Sequence, residues 1–184
     1  DPSPQLGSET DVDALNALGD AGVLAMVCDS TNVFVEGESG SEGVVRENLI
    51  ELIGSLTGRV AVTTFASNVA RVATVIEAAR QAGRSVCLVG RSMHKITDAA
   101  VATGGIKDWP DLISEDQAGG LPDDNLLFLC TGSQGEPRAA LGRISRDDHR
   151  HISLGDGDTV IFSSRVIPGN EKGIYDMQNA LAEK

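Results

Sequence analysis

The sequence has no apolar run near the ~20 residues that span a bilayer as a helix, so no membrane segment is expected. It does not open with a basic stretch followed by an apolar one, the mark of a signal peptide. It opens instead with Asp1-Pro2-Ser3-Pro4, which reads as the interior of a longer protein. Disulfide pairing is poorly supported. There are three cysteines, an odd number, and Cys28, Cys87 and Cys130 each sit in an apolar run. Small buried thiols in a reducing cytoplasm account for that best. Their wide spacings match no zinc pattern. Basic charge is also short: the net charge is −12. A dedicated duplex-DNA binder carries a broad basic face, so any nucleic-acid contact here must come from local sites or be shared with another domain.

Histidine is scarce as well, with only His94, His149 and His151. His149-Arg150-His151 is a literal His-x-His. It lies in a polar segment just before a strand, which predicts exposed loop histidines at the amino end of a sheet rather than a metal site. His94 is expected at the surface, in the first turn of a helix. Asp147, Asp148, Asp156 and Asp158 are expected as turn and helix-end residues. Neither Gly-x-x-x-x-Gly-Lys-Ser/Thr nor a Gly-x-Gly-x-x-Gly after a strand is present. No Gly-x-Ser-x-Gly elbow marks a nucleophile.

What is present is a regular alternation. Five continuous apolar runs recur at Gly22–Cys28, Arg59–Thr64, Ser85–Val89, Leu126–Cys130 and Thr159–Phe162. Continuous rather than alternating runs suit strands buried on both faces of a parallel sheet. Helical stripes lie between them. Thr10 and Asp13 predict a helix start and Gly19 its stop. Val45, Leu49, Ile53 and Leu56 share one helical face, with Ser41 as cap. Val69, Val72, Ile76 and Ala79 share another, with Ser67 or Asn68 as cap and Gly83 as stop. Met93, Ile96 and Ala100 begin a third. Ala139, Ala140 and Ile144, and then Ile174–Leu181, supply two more. Residues 103–124, rich in Gly and Pro, read as a long connection with one short helix. With 184 residues and 41% apolar content, the prediction is one α/β domain, doubly wound, with a mainly parallel five-stranded sheet flanked by helices.

In such a sheet, ligands gather beyond the carboxyl ends of the strands. The five exits read Asp29-Ser30-Thr31-Asn32, Phe65-Ala66-Ser67-Asn68, Gly90-Arg91-Ser92-Met93, Thr131–Pro137 (TGSQGEP) and Ser163–Glu171 (SSRVIPGNE). All are rich in Ser, Thr, Asn or Gly, and two carry Arg. Hydroxyls and backbone N–H groups at helix starts favour phosphate, and Arg adds bidentate donors. The same residues also cap helices and make turns.

Together with Cys130 and Phe162, these exits resemble ribonuclease J, a nuclease of the metallo-β-lactamase fold, over about Leu15 to Glu171. The chain is similar to the β-CASP domain of that family, so residues 1–184 are expected to be a single β-CASP domain cut from a larger enzyme. The resemblance implies a 5′ exo- and endoribonuclease of RNA processing and decay, cytoplasmic, using two zinc ions. Its zinc ligands lie in a His-x-His-x-Asp-His motif and later His and Asp residues of the metallo-β-lactamase domain, and none is in this sequence. No cofactor is therefore expected in this fragment, which should be inactive alone. Its expected partners are RNA and the metallo-β-lactamase domain of the same chain, and the resemblance leaves room for a homo-oligomer. Asp29 resembles the acidic residue of the first β-CASP motif and takes a supporting role toward the catalytic centre, without binding metal. Ser67 and Asn68 would hold a phosphate near the RNA 5′ end. Ser30, Thr31, Arg91, Ser133, Gln134, Ser164 and Arg165 would line the RNA path. Where many relatives carry Ile-His-Arg after Phe65–Asn68, this chain has Val69-Ala70-Arg71, and the acidic stretch 34–42 differs from the expected Pro-containing loop. A different reading is a stand-alone α/β enzyme or binding module for a small phosphorylated metabolite, which would need an acid–base or nucleophile set that the sequence lacks. A third is an interaction module with an exposed apolar face.

Overall fold

The computed structural model describes residues 4–30, 33–37, 40–104 and 109–184. It divides into two compact units, Asp1–Val45 and Arg46–Lys184.

The first unit holds one complete helix, α1 (Val12–Ala21). Asp11 caps it, not Thr10: the Asp11 carboxylate accepts from the N–H of Ala14 at 2.9 Å. The helix runs past Gly19 and ends at Gly22, whose φ of 81° suits glycine. The run Gly22–Cys28 is not a strand, contrary to the sequence expectation. Its apolar side chains are open to solvent within the described residues, Leu24 and Val27 almost completely. The chain then passes into α2 (Glu42–Ser55), whose Leu49 and Ile53 are buried as the stripe predicted. Ser41 caps it through a bond from the N–H of Gly43.

The second unit contains the sheet, which has four strands rather than five. They are β1 (Val60–Thr63), β2 (Ser85–Val89), β3 (Leu126–Cys130) and β4 (Thr159–Phe162). All pairings are parallel, in the order β2-β3-β1-β4. The helices are α3 (Val69–Gln81), α4 (Arg91–Ala102), α5 (Glu115–Ala118), α6 (Ala140–Ile144) and α7 (Glu171–Ala182). The long connection thus holds α5, closed by a capping box of Ser114 and Gln117, and a 3-10 turn at Asp123–Asn125. The fold is α/β and wound on both faces. On one face, Ala61, Cys87, Val89, Phe128 and Cys130 pack with Ala118, Leu141, Ile144 and Met177. The alternate positions, including Val62, Leu88 and Leu129, are also buried and point to the other face, where α3 lies over β2 and β3.

The links β1-to-β2 and β3-to-β4 run in opposite directions across the sheet. Right-handed crossovers therefore place them on opposite faces. The loops leaving the neighbouring strands β1 and β3 part at that point, which is where open α/β sheets bind ligands. At the other end of the sheet, Arg59 and the nearly buried Asp158 form an ion pair at 2.8 Å. Asp158 also accepts from the N–H groups of Arg59 and Gly155, so it is a buried brace as well as a turn residue. Among the described residues, no helix is long and apolar enough to cross a membrane.

Candidate functional site

Four of the five predicted exits share the carboxyl edge of the sheet, because β1 to β4 are parallel. The fifth, at Asp29 and Ser30, belongs to the first unit and follows no strand. Both residues are exposed there, and the Ser30 carbonyl accepts from the N–H of Val33. Thr31 and Asn32 lie outside the described residues.

The exits of β1 and β4 are tied together. Thr64 donates its hydroxyl to the Ser163 carbonyl at 3.1 Å. The chain then turns so that the N–H of Asn68 reaches the Phe65 carbonyl. Asn68 caps α3, its side-chain oxygen accepting from the N–H of Arg71 at 3.0 Å. Ser67 is exposed at the mouth of that helix. In the first turn of α3 the N–H of Val69 is taken by the Ser67 carbonyl and that of Arg71 by Asn68, and the helix dipole is positive there. Arg71 reaches back to β4. Its Nη1 donates to the Ser163 carbonyl at 3.0 Å and to the Ser163 hydroxyl at 2.7 Å. Sequence reading did not single out Arg71 as a site residue, although an Arg in the first turn of a helix at the binding edge was the available signal.

The exits of β3 and β4 are joined by Gln134. This buried side chain donates to the Arg165 carbonyl at 2.9 Å and, at 3.4 Å, to the Ser164 hydroxyl. Its oxygen accepts from the N–H of Ile167 at 2.9 Å and from Asn170 at 3.2 Å. All four capacities of the amide are met by protein, so Gln134 shapes the loop over 163–171. Ser133 is buried beside it, Ser164 is half-buried, and Arg165 is exposed.

Arg91 lies on the other side of β3. It opens α4 after Gly90, whose φ is 112° and whose missing Cβ would lie 2.4 Å from the Thr131 hydroxyl. Arg91, Thr131 and Gly132 line a cavity of about 980 Å³, and so do His94, His149 and His151. The sequence reading put His149 and His151 at the opposite edge of the sheet. They share that cavity with the exit residues Gly90, Arg91, Thr131 and Gly132 at the carboxyl edge instead, and Ile152 and Leu154 just after them are buried in the core cluster. His149 is not an exposed loop residue either: its side chain is 8% exposed and sits 4.0 Å from Glu115. Burial lowers its pKa, and Glu115 opposes that in part. His151 is exposed and pairs with Asp116 at 3.0 Å. Among the described residues, no group of three or more His, Cys, Asp or Glu is placed to hold a metal ion.

Residues 57–181 match the family described as "Ribonuclease J, beta-CASP domain". The chain belongs to the ribonuclease J β-CASP family. It is 48% identical over its whole length to a protein named Ribonuclease J from Sinorhizobium meliloti and covers 33% of it. It is 45% identical over its whole length to Ribonuclease J of Mycolicibacterium smegmatis, again covering 33%. For Ribonuclease J of Corynebacterium glutamicum the identity is 42% over the whole chain, with 26% of that protein covered. The chain thus spans a third or less of these relatives, and they contain further sequence beyond the β-CASP region.

Proposed function

We propose that this chain is a β-CASP domain that grips RNA for a metal-dependent, cytoplasmic ribonuclease J and does not cut RNA by itself. The observation that carries this reading is the mouth of α3. Ser67 is exposed there, Asn68 fixes the helix start, and Arg71 ties it to the exit of β4. A terminal phosphate would take the Ser67 hydroxyl and the positive end of the helix dipole at that point. Ser164 and Arg165 flank the same edge, with Gln134 holding their loop in shape.

Family membership implies two zinc ions, which would supply the hydroxide that attacks phosphorus. The described residues offer no ligand set that fits them, so the cutting step is assigned to a metallo-β-lactamase domain outside these residues. Asp29 would support that centre from the first unit.

The test is an NMR titration with uridine monophosphate. Shifts should concentrate on the amides of Ser67–Arg71, with millimolar affinity, about −4 kcal/mol. Ser67→Ala should weaken binding by roughly 0.5–1.5 kcal/mol, the net worth of one hydrogen bond, with the fold intact. Shifts centred elsewhere would exclude this pocket. In the full-length enzyme, Ser67→Ala should impair processing of 5′-monophosphorylated RNA more than internal cleavage. Equal loss of both would assign Ser67 to folding or catalysis instead.

A further inference from the structure

The start of α4 opens into the cavity beside β2 and β3. Its N-cap is Gly90, which has no side chain to cap the helix. The first backbone bonds of the helix come from the N–H groups of Met93 and His94, both to the Gly90 carbonyl. Among the described residues the N–H groups of Arg91 and Ser92 meet no acceptor, and both residues line the cavity. At the mouth of α3, by contrast, the Asn68 side chain takes the Arg71 N–H.

Two further observations mark the same place. The wall includes His149, whose side chain is 8% exposed and whose Nδ1 atom is buried with no hydrogen-bond partner. Buried polar atoms are rarely left so, and an occupant of the cavity would supply the missing bond. The cavity is also a basic cleft. Arg91, Lys95, Arg138, Arg143 and Arg150 line it against two carboxylates, Glu115 and Glu136, a formal balance of +3 in a chain of net charge −12. Glu136 accepts from the N–H of Gln134, and Arg143 is held by the Asp148 carbonyl. Lys95, Arg138 and Arg150 enter no ion pair among the described residues.

A helix start with two open N–H groups suits a terminal phosphate, which brings three acceptor oxygens and a charge of about −2. A phosphodiester brings a single charge. The volume of about 980 Å³ lies at the upper end of small-ligand sites and exceeds what one phosphate fills, so further phosphates are needed to reach the free cations. No Phe, Tyr or Trp lines the cleft, so nothing there stacks on a base.

We propose that this cleft binds a small free polyphosphate, a ligand distinct from RNA. Its terminal phosphate sits on the N–H groups of Arg91 and Ser92, and the rest of its chain pairs with Lys95, Arg138 and Arg150. The inference does not rest on the RNA-gripping reading.

The experiment is isothermal titration calorimetry of the chain with inorganic tripolyphosphate, in magnesium-free buffer at physiological ionic strength. Replacing Arg138 and Arg150 together by Ala should weaken binding roughly tenfold. Ser92→Asp places a carboxylate on the open N–H groups, which is favourable at a helix start. It should therefore weaken binding as much without lowering the unfolding temperature. Asn179→Asp makes the same change of charge outside the cleft and should alter the affinity less than about twofold. Ser67→Ala should leave it unchanged, which keeps this site apart from the uridine monophosphate pocket. Uridine triphosphate should match tripolyphosphate within about threefold, because only the phosphate chain is held. No binding by the unaltered chain overturns the inference, as do equal effects of Ser92→Asp and Asn179→Asp. A loss at Ser67→Ala would move the ligand to the other pocket and overturn it. Uridine triphosphate bound more than about tenfold tighter would mean that a base is read, with the same result. A 5′-hydroxyl uridylate dodecamer that displaces tripolyphosphate at equal phosphate concentration would give the cleft to the RNA strand instead.

Discussion

A Cβ on Gly135 would stand 2.3 Å from the carbonyl carbon of Gly173. The loop after β3 therefore lies backbone to backbone on the first turn of α7, with a φ of 76° at Gly135 that L side chains rarely adopt. This close approach sets the height of the Thr131–Pro137 loop above the sheet edge, and Gln134 next to it fixes the loop over 163–171. Gly135→Ala should destabilise the chain by about 2–4 kcal/mol, combining left-handed strain with overpacking against backbone. Gly173→Ala should cost clearly less. Its Cβ would come no nearer than 3.2 Å, to the Gly135 carbonyl oxygen, and alanine is the better helix former by about 1 kcal/mol. Urea unfolding of both variants checks the order, and equal losses would refute the packing argument.

Arg84 is charged yet only 6% exposed. It donates to the carbonyls of Gly58 at 2.8 Å, Leu126 at 3.1 Å and Leu56. One guanidinium thus closes the end of α2, the turn into β1 and the start of β3. Burial lowers its pKa, but the group stays protonated at any ordinary pH. Arg84→Ala would leave three carbonyls without their donor, at a cost of roughly 3 kcal/mol or more. Arg84→Lys should recover only part of this, because one ammonium cannot reproduce the planar fork. A denaturation midpoint for Arg84→Lys equal to that of the unaltered chain would contradict this account.

The sheet strands were legible in the sequence because their environment is symmetric. Ser85–Val89, Leu126–Cys130 and Thr159–Phe162 form strands over the expected residues, and Arg59–Thr64 does so within a residue at each end. A run buried on both faces has only one pattern to show. Gly22–Cys28 has the same apolar composition and is no strand. Composition records that a segment favours burial but not what it is buried against, and Leu24 and Val27 find no cover in their own unit. The turn residues at the exits were legible because parallel strands must all end on one edge. The basic cleft was not. His149 and Arg150 precede β4 in sequence, yet they line one cavity with Arg91 and Thr131 from the strand exits, a meeting of distant segments that no local pattern records. Gln134 was legible as a member of its motif, but its four protein partners depend on the folding together of residues about thirty or more positions apart.

The three cysteines should react in two classes. Cys28 is exposed, whereas Cys87 and Cys130 are buried in the sheet. Burial pushes the Cys87 thiol up to about 12 and the Cys130 thiol higher still, so neither supplies thiolate at neutral pH. An aromatic disulfide reagent at pH 8 should titrate one thiol in the native chain within minutes. The other two should appear only in guanidinium. Two fast native thiols would mean that β2 or β3 opens far more readily than a central parallel strand should.

His149 gives the cleft wall a pH dependence whose sign can be worked out. Its folded pKa lies below the ordinary imidazole value of 6.5, chiefly because burial disfavours the charged ring. Glu115 pulls the other way, and Arg143 adds to the lowering. As pH falls through 6.5, the unfolded chain takes up this proton before the folded chain does. Folding stability is therefore fully present above that value and declines as pH drops toward the folded pKa. His149→Asn removes the titration and keeps a polar, uncharged side chain. Urea unfolding at pH 7.5 and at pH 5.5 should show a larger loss for the unaltered chain than for His149→Asn. If the two chains lose the same stability between those pH values, His149 is not held neutral by its surroundings. If the variant loses more, the attraction of Glu115 outweighs burial and the sign is reversed.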